Sequence, residues 1–271
     1  MFRQCQIRHQ GSELPVSYFI RPGLAGTLVL LHGLGGSKQD YLAAVGQRAL
    51  SDYALVAFDF PGCGGTPYPK DARLGVDDLV EITDQVVSAL NINDFVIIGH
   101  SMGGLVGLLF AGKYGSKLEG FVDVEGNLSP EDCFLTRGIA GLSFDDFLNT
   151  EQLETLKLKF VSAPHRATRM WAEDLDKQVP RAIYDYAVSI VNWSDNEDLL
   201  TGFLSLPIPR LFVYGSANSQ LSYIPRLKLS GAGVVEIPDS GHWPHLDNPV
   251  SFYSEVARFL LSDTTPPAFP E

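Results

Sequence analysis

Short runs of apolar residues alternate with longer amphipathic stretches along most of the chain. Six of these runs have the length and the continuous apolar character of strands that are buried on both faces. They are TLVLLH from Thr27, ALVAFDF from Ala54, FVIIGH from Phe95, GFVDVEG from Gly120, RLFVYG from Arg210 and GVVEIP from Gly233. The pattern predicts a mostly parallel sheet with helices on each side, a class that binds ligands at the carboxyl ends of its strands.

Helical periodicity predicts four helices around this sheet, over residues 39–50, 76–90, 102–114 and 249–261. The first twenty residues follow a different pattern, because polar and apolar positions alternate there as in a pair of edge strands. The chain therefore starts, by this interpretation, with a hairpin at one edge of the sheet.

The alternation of strands and helices is interrupted once, between about Asn127 and Leu206. Amphipathic helices dominate this stretch, which predicts a helical lid inserted after the sixth strand. We therefore expect a core formed by residues 1–126 and 207–271 and a cap formed by residues 127–206. The aromatic residues of the lid either line a pocket or pack the lid itself; they are Phe134, Phe144, Phe147, Trp171, Tyr184 and Trp193.

The size, composition and net charge of the chain limit the kinds of molecule that it can bind. With 271 residues, 45% of them hydrophobic, the chain can bury the core of one large domain. Its net charge of −12 argues against binding to nucleic acid or to an anionic membrane surface, since both need a basic face. No apolar run reaches the roughly 20 residues of a membrane span. An uncharged, partly apolar small molecule is the expected partner, and the oligomeric state stays open.

The cysteines indicate a reducing environment. Cys5, Cys63 and Cys133 are odd in number and widely scattered, without the spacing of a metal site or of a disulfide framework. The first twenty residues contain no apolar segment of the kind found in secretory signals. We therefore expect reduced thiols and a cytoplasmic protein.

A candidate nucleophile lies where a buried strand gives way to an apolar helix. The sequence GHSMG at residues 99–103 has the form G-x-S-x-G, with Ser101 at its centre. Flanking glycines allow a sharp turn that lifts the hydroxyl above the sheet, beside the positive end of a helix. A serine that only caps a helix would explain Ser101 but not both glycines.

A serine hydroxyl needs a general base, and the oxyanion that it generates needs hydrogen-bond donors. His242, in the loop after the last predicted strand, is the candidate base, and His245 is its nearest rival. The other histidines considered, His9, His100 and His165, are interpreted as structural. The glycine-rich stretch LLHGLGGS after the first predicted strand suggests backbone donors, and we assign them to the N–H groups of Leu34 and Met102. A phosphate cradle is the alternative, but the stretch has neither G-x-G-x-x-G nor a P-loop lysine.

The motifs HGLGG, DFPGCGGT, GHSMGG and SGHWPHLDNP, in this order, resemble the α/β-hydrolase fold superfamily, and in particular its lid-bearing esterases and lipases. The resemblance covers nearly the whole chain outside the lid. It implies a sheet of about eight strands, a Ser-acid-His triad in that chain order, and no cofactor. No metal site is expected. Asp59, in DFPGCGGT, resembles the superfamily's turn after the fourth strand, where Pro61 and the glycines shape a loop, and we interpret Asp59 as structural. Cys63 lies in the same loop, and the sequence offers no base for it.

The acid departs from the commoner pattern of this superfamily. Many members carry an aspartate after the seventh strand, and the matching segment here, GSAN, ends in Asn218. Other members take the acid from the end of the sixth strand, where this chain has Glu125 in the stretch FVDVEGN. Two alternating carboxylates, Asp123 and Glu125, are expected on one face of that strand. We favour Glu125 as the acid, keep Asp123 as the second choice, and interpret Asn218 as a polar helper near His242.

These features predict a serine hydrolase that cleaves a carboxylic ester or a related acyl bond through an acyl-enzyme. Hydrolysis of a C–C bond, a lactone, a thioester or an amide on the same triad stays open. A catalytically silent ligand-binding protein on the same fold is the alternative from another class, since a fold does not fix a function. A cofactor-free perhydrolase or an oxidoreductase-like relative is a third possibility.

Overall fold

The computed structural model describes residues 2–262, which form an eight-stranded sheet covered by helices. The strands are β1 (Arg3–His9), β2 (Ser12–Arg21), β3 (Thr27–Leu31), β4 (Ala54–Phe58), β5 (Phe95–His100), β6 (Leu118–Val124), β7 (Arg210–Gly215) and β8 (Gly233–Ile237). Their spatial order is β1-β2-β4-β3-β5-β6-β7-β8. β2 pairs antiparallel with β1 and β4, and all other neighbours are parallel. The predicted sheet and its edge hairpin are confirmed.

Twelve α-helices are assigned within residues 2–262. They are α1 (Leu42–Val45), α2 (Val76–Ala89), α3 (Met102–Tyr114), α4 (Thr136–Ala140), α5 (Phe144–Asn149), α6 (Gln152–Phe160), α7 (Arg166–Asp174), α8 (Pro180–Asn196), α9 (Leu199–Leu204), α10 (Ile224–Leu229), α11 (Pro244–Asp247) and α12 (Pro249–Leu261). Alternate residues of the central strands point to opposite faces. Val29 and Leu31 pack on the side of α2 and α3, whereas Leu28 and Leu30 pack on the side of α1 and α12. Burial on both faces explains why the strands are continuous apolar runs.

One predicted helix is wrong. Residues 39–50 form a 3₁₀ turn at Lys38–Tyr41, the short α1 and a second 3₁₀ turn at Arg48–Leu50, with Gly46 at the break. Tyr41 and Leu50 are both fully buried in the same apolar cluster. A continuous helix would place these two side chains about 180° apart, so the chain must break to bury both. The other three predicted helices are present as α2, α3 and α12, with α2 ending one residue earlier.

The stretch between β6 and β7 is helical, and residues 127–206 contain no strand. We refer to residues 127–206 as the cap segment. It is tied to the loop after β4, because the Val179 N–H donates to the Gly62 carbonyl at 2.9 Å and the Tyr186 hydroxyl donates to the Pro61 carbonyl at 2.7 Å. The division of the chain into a separate core and cap at these boundaries stays a prediction.

None of the helices in residues 2–262 combines the length and the apolar character that crossing a bilayer requires.

Candidate active site

Ser101 lies at the sharp turn between β5 and α3. Its backbone is at φ 52° and ψ −119°, a conformation that is costly for a residue with a side chain. The turn is held by the Ser101 N–H, which donates to the Val124 carbonyl at 2.9 Å. The two flanking glycines have no room for a side chain: a Cβ on Gly99 would lie 2.2 Å from the Gly103 carbonyl oxygen, and one on Gly103 would lie 2.2 Å from that of Leu31. Local packing therefore requires glycine on both sides of Ser101.

Glu125 and His242 are in direct contact. Glu125 follows β6 in a left-handed conformation, at φ 49°, and its side chain is 4% exposed. One carboxylate oxygen, Oε2, lies 2.6 Å from His242 Nδ1, and the other, Oε1, accepts the Gly215 N–H at 2.7 Å. A buried carboxylate with several donors can stay ionised. Its bond to Nδ1 orients the ring and leaves Nε2 of His242 available to accept a proton.

Asn218 contacts Glu125 directly. Its side-chain N–H donates to Glu125 Oε2 at 2.7 Å, so the oxygen that faces His242 has two donors. The amide thus supports the carboxylate from the position in which many relatives of this fold carry the acid.

Asp123 has a different environment from Glu125. It is fully buried, and its Oδ1 accepts the Gly126 N–H at 2.7 Å, whereas no partner for Oδ2 is present in the part of the chain that the structure describes. Burial, with a smaller contribution from neighbouring carboxylates, raises the pKa of Asp123 to about 8. The expected alternation does not relate the two carboxylates, because Glu125 lies beyond the end of the strand with a left-handed backbone. The structure brings Glu125 to His242, and it does not bring Asp123 there.

The loop after β3 lies against Ser101, since a Cβ on Gly33 would be 3.1 Å from the Ser101 Cβ. The Gly33 carbonyl is held by the Gly36 N–H at 3.1 Å and by Nδ1 of His32 at 2.8 Å. In a trans peptide the N–H points away from the carbonyl. The two bonds therefore fix the direction of the Leu34 N–H.

Met102 is the second candidate donor. It is the first residue of α3, and the first N–H groups of a helix have no partner inside the helix. Its N–H adjoins Ser101 at the positive end of the helix dipole. Leu34 and Met102 stay the predicted oxyanion donors.

His32 has a defined tautomer that sequence reasoning did not assign. The Phe60 N–H donates to Nε2 of His32 at 3.0 Å, so Nδ1 carries the proton that is donated to Gly33. Complete burial lowers the pKa of His32 and favours this neutral form. Its position directly after a buried strand was the available signal in the sequence.

His100 and His245 are buried beside His242. The His100 Nε2 lies 2.7 Å from the His242 carbonyl oxygen, and burial holds the pKa of His100 well below its usual value. His245 stacks on Tyr41, and burial lowers its pKa to about 3. Both ring nitrogens of His245 lack partners within residues 2–262, and the ring is inaccessible to solvent. His242, and not His245, has the contacts expected of a general base.

His165, interpreted from the sequence as structural, lines the cavity beside Ser101, as His100 does. A Cβ on Gly241 would lie 2.9 Å from its ring. Asp247 is a further residue that the sequence did not single out. It accepts the Gly241 N–H at 3.1 Å and the Ala167 N–H at 3.0 Å, and so joins the loop of His242 to the first turn of α7.

Ser101 and His242 line one cavity of about 260 Å³ between the sheet and the cap segment. Its wall is mostly aromatic and aliphatic, with one carboxylate, that of Asp132, among the lining groups. The apolar lining residues are Leu34, Phe134, Leu135, Phe160, Ala163, Pro164, Trp171, Ile190, Ala217 and Trp243. No hydrogen bond joins Ser101 to His242 among the described residues, which is common for catalytic pairs without substrate. The polar side chains of Asn127, Thr136 and Thr168 also line this cavity.

Asp59 and Cys63 take no part in this arrangement. Asp59 forms a buried ion pair with Lys38 at 2.5 Å and accepts the Gly65 N–H at 2.7 Å, so it shapes its loop. Burial raises the pKa of the Cys63 thiol far above its usual value, which suppresses the reactive thiolate. Within residues 2–262, no group of His, Cys, Asp and Glu side chains is arranged to hold a metal ion.

Comparison with known proteins is consistent with this geometry. A model of the family described as "Alpha/beta hydrolase family" matches residues 28–256. The sn-1-specific diacylglycerol lipase ABHD11 of Danio rerio is 26% identical over 276 residues, which cover 92% of this chain and 82% of the relative. The 2-succinyl-6-hydroxy-2,4-cyclohexadiene-1-carboxylate synthase of Enterobacter sp. (strain 638) is 24% identical over 86% of this chain and 91% of that protein. A thermophilic esterase from Thermogutta terrifontis superposes with a TM-score of 0.77 at 19% identity, over 95% of this chain and 98% of that chain.

Proposed function

The chain belongs to the alpha/beta hydrolase family, and from this premise we propose that it is a serine hydrolase that cleaves a carboxylic ester or a related acyl bond. The observation that carries the proposal is the contact between Glu125 and His242, at 2.6 Å, beside the cavity that holds Ser101. Ser101 and Glu125 follow the neighbouring strands β5 and β6, and His242, 117 positions beyond Glu125, contacts Glu125 and lines the same cavity as Ser101.

The proposed reaction follows from the available groups. His242 Nε2 takes the proton of Ser101 as the hydroxyl attacks the carbonyl carbon, and the Glu125 carboxylate stabilises the imidazolium that forms. The N–H groups of Leu34 and Met102 donate to the developing oxyanion. The imidazolium then protonates the leaving alcohol, and a water activated by the same histidine releases the acyl group from Ser101.

An uncharged and partly apolar acyl compound is the proposed substrate. The cavity of about 260 Å³ has a mostly aromatic and aliphatic wall, which desolvates an acyl chain favourably. An anionic substrate would approach a protein of net charge −12, and such like-charge repulsion slows association.

The decisive experiment measures hydrolysis of 4-nitrophenyl acetate, butyrate and octanoate, together with labelling by a fluorophosphonate. We expect turnover by the wild type and labelling at Ser101. The Ser101→Ala variant should lose the label and at least about 10³-fold in kcat/KM. A wild type that neither turns over these esters nor reacts with the probe would contradict the proposal and favour a silent binding protein. Comparing kcat/KM for lactone, thioester and amide substrates with that for the esters would show which type of bond the enzyme prefers.

We also infer a reducing compartment, and specifically the cytoplasm, as the site of action. Cys5, Cys63 and Cys133 are all unpaired, and two of them are buried, which is unusual in oxidising compartments. Fractionation of the native cell, with the protein followed by a specific antibody, tests this location.

A further inference from the structure

A side chain of the cap segment bonds directly to the loop that carries the proposed oxyanion donor. Trp171, from α7, donates its indole N–H to the Leu34 carbonyl oxygen at 2.8 Å. Both residues are buried, with Trp171 6% exposed and Leu34 7% exposed. A hydrogen bond shielded from water is expensive to lose, because the carbonyl left behind has no solvent to replace its donor. The bond is therefore a firm link between α7 and this loop.

The bond from Trp171 acts on the peptide that follows Leu34, whereas the other bonds near Leu34 act on the peptide that precedes it. The bonds from Gly36 and His32 fix the peptide before Leu34, and the bond from Trp171 fixes the peptide after it. The adjacent Gly35 is at φ 72°, and a Cβ there would lie 2.6 Å from the indole nitrogen. The plane before Leu34 contains its N–H, and the bond from Trp171 restrains the plane after it, so Leu34 is held in place from both sides.

The same helix is also joined to the loop of His242. The Trp171 ring lies 5.7 Å from the ring of Trp243, centroid to centroid, and Trp243 is the neighbour of His242 in the chain. At the start of α7, the Ala167 N–H donates to Asp247, which also accepts the Gly241 N–H. Helix α7 therefore contacts both loops that deliver catalytic groups to Ser101.

We propose that Trp171 is a positioning residue, through which the seating of α7 on the core sets the Leu34 amide for the oxyanion. This inference rests on the proposed function. Its consequence is that the oxyanion hole is complete only while α7 is docked. Loss of the indole N–H should weaken stabilisation of the transition state and leave binding of the ground state nearly unchanged.

The test compares Trp171→Phe with a matched control, Trp193→Phe. Phenylalanine keeps an aromatic ring beside Trp243 but cannot donate to Leu34. Trp193 lies on α8, where its indole N–H donates to Asp77 at 3.0 Å on a part of the surface outside the cavity. The control therefore removes an indole hydrogen bond at the surface, by the same substitution, without touching the site.

Hydrolysis of 4-nitrophenyl butyrate and inhibition by an alkyl trifluoromethyl ketone, which forms an oxyanion on the serine, give the readouts. We expect Trp171→Phe to lower kcat by roughly 10- to 100-fold, because a misaimed donor costs less than the 10²- to 10³-fold of a deleted one. Because Trp171 also lines the cavity, an unchanged KM, within about twofold, is expected only of a replacement that keeps the bicyclic shape. The inhibition constant of the ketone should rise by the same factor as kcat falls. Trp193→Phe should leave all three quantities within about twofold of the wild type.

A second replacement guards against a simple packing defect in the phenylalanine variant. Site-specific incorporation of benzothienylalanine at position 171 keeps the bicyclic shape and replaces only the N–H by sulfur, and we expect the same fall in kcat. An active wild type beside variants with unchanged kcat, or with a raised KM alone, would overturn this inference and leave the proposed function intact. A wild type with neither turnover nor labelling of Ser101 would overturn both.

Discussion

Asn218 and Glu125 form a single electrostatic arrangement. The amide of Asn218 donates to the carboxylate oxygen that also faces His242. An aspartate at position 218 would bring a second carboxylate to about the same 2.7 Å separation. Two carboxylates so close share a proton, which would weaken the negative charge presented to the imidazole. An amide at 218 therefore suits an acid that sits at 125.

Glu125→Gln should lower kcat by roughly 10³- to 10⁴-fold, because a neutral amide cannot stabilise the imidazolium of His242 and can select the wrong ring tautomer. Asn218→Ala should lower kcat by less than about tenfold, since the carboxylate keeps its bonds to His242 and to the Gly215 N–H. Steady-state hydrolysis of 4-nitrophenyl butyrate measures both variants. The reverse ranking would favour Asn218 over Glu125 as the partner of His242, and equal losses would contradict the different roles given to the two residues.

At the scale of elements, the backbone at the junction of β5 and α3 is held in place by close packing. All six residues of β5 are buried, and α3 begins two residues after its end. The strained backbone at Ser101 persists because the strand and helix on either side are packed and cannot relax. The flanking glycines let the helix approach the strand closely enough to form this turn.

Gly99→Ala should destabilise the protein by roughly 2–4 kcal/mol, since the new methyl group would meet the Gly103 carbonyl at 2.2 Å and backbone must move. Gly112→Ala is the matched control within the elements of this junction. It lies on α3 with nothing within 4 Å of the added Cβ, so alanine should be neutral or stabilise by up to about 1 kcal/mol. Urea unfolding followed by circular dichroism measures both. Similar free energies of unfolding for the two variants would contradict the packing explanation.

At the scale of the whole molecule, burial of an ionisable group makes the free energy of unfolding depend on pH. Burial raises the pKa of the Asp123 carboxyl to about 8, from an ordinary value of 3.8. Between about pH 4 and pH 8 the carboxyl of Asp123 keeps its proton in the folded protein and loses it in the unfolded chain. The contribution of Asp123 to the free energy of unfolding is therefore fully present below about pH 4 and is lost as the pH rises through about 8.

Asp123→Asn should remove this part of the pH dependence. The free energy of unfolding of the wild type should fall by up to about 1.4 kcal/mol per pH unit more steeply than that of the variant between pH 5 and pH 8. Urea unfolding at pH 5, 7 and 9 measures the difference. Asp145→Asn, at an exposed position of α5, controls for the removal of one negative charge. Parallel curves for the wild type and Asp123→Asn would contradict this role of Asp123.

The sequence predicted most of the architecture because the signals were local. Continuous apolar runs identified six strands, and alternation identified the hairpin of β1 and β2. The expected burial on both faces is wrong for β8, because it lies at the opposite edge of the sheet and is only partly buried. The stretch at 39–50 misled the prediction, since the requirement to bury both Tyr41 and Leu50 comes from the sheet and α12 rather than from the segment itself. Ser101 could be identified from the sequence for the same local reason, because the glycines that its turn requires lie within two residues of it in the chain.

The sequence by itself determined that the chain folds as an α/β sheet and that candidate catalytic groups collect at its carboxyl edge. The reason is that parallel strands all end at the same edge of the sheet. Only the tertiary structure decided which carboxylate reaches His242, how Asn218 serves it, and that Trp171 of the cap segment holds the Leu34 loop. The physical reason is distance along the chain. These bonds join residues that are 93 to 137 positions apart, and no periodicity or turn signal encodes a contact that forms only when separate elements pack.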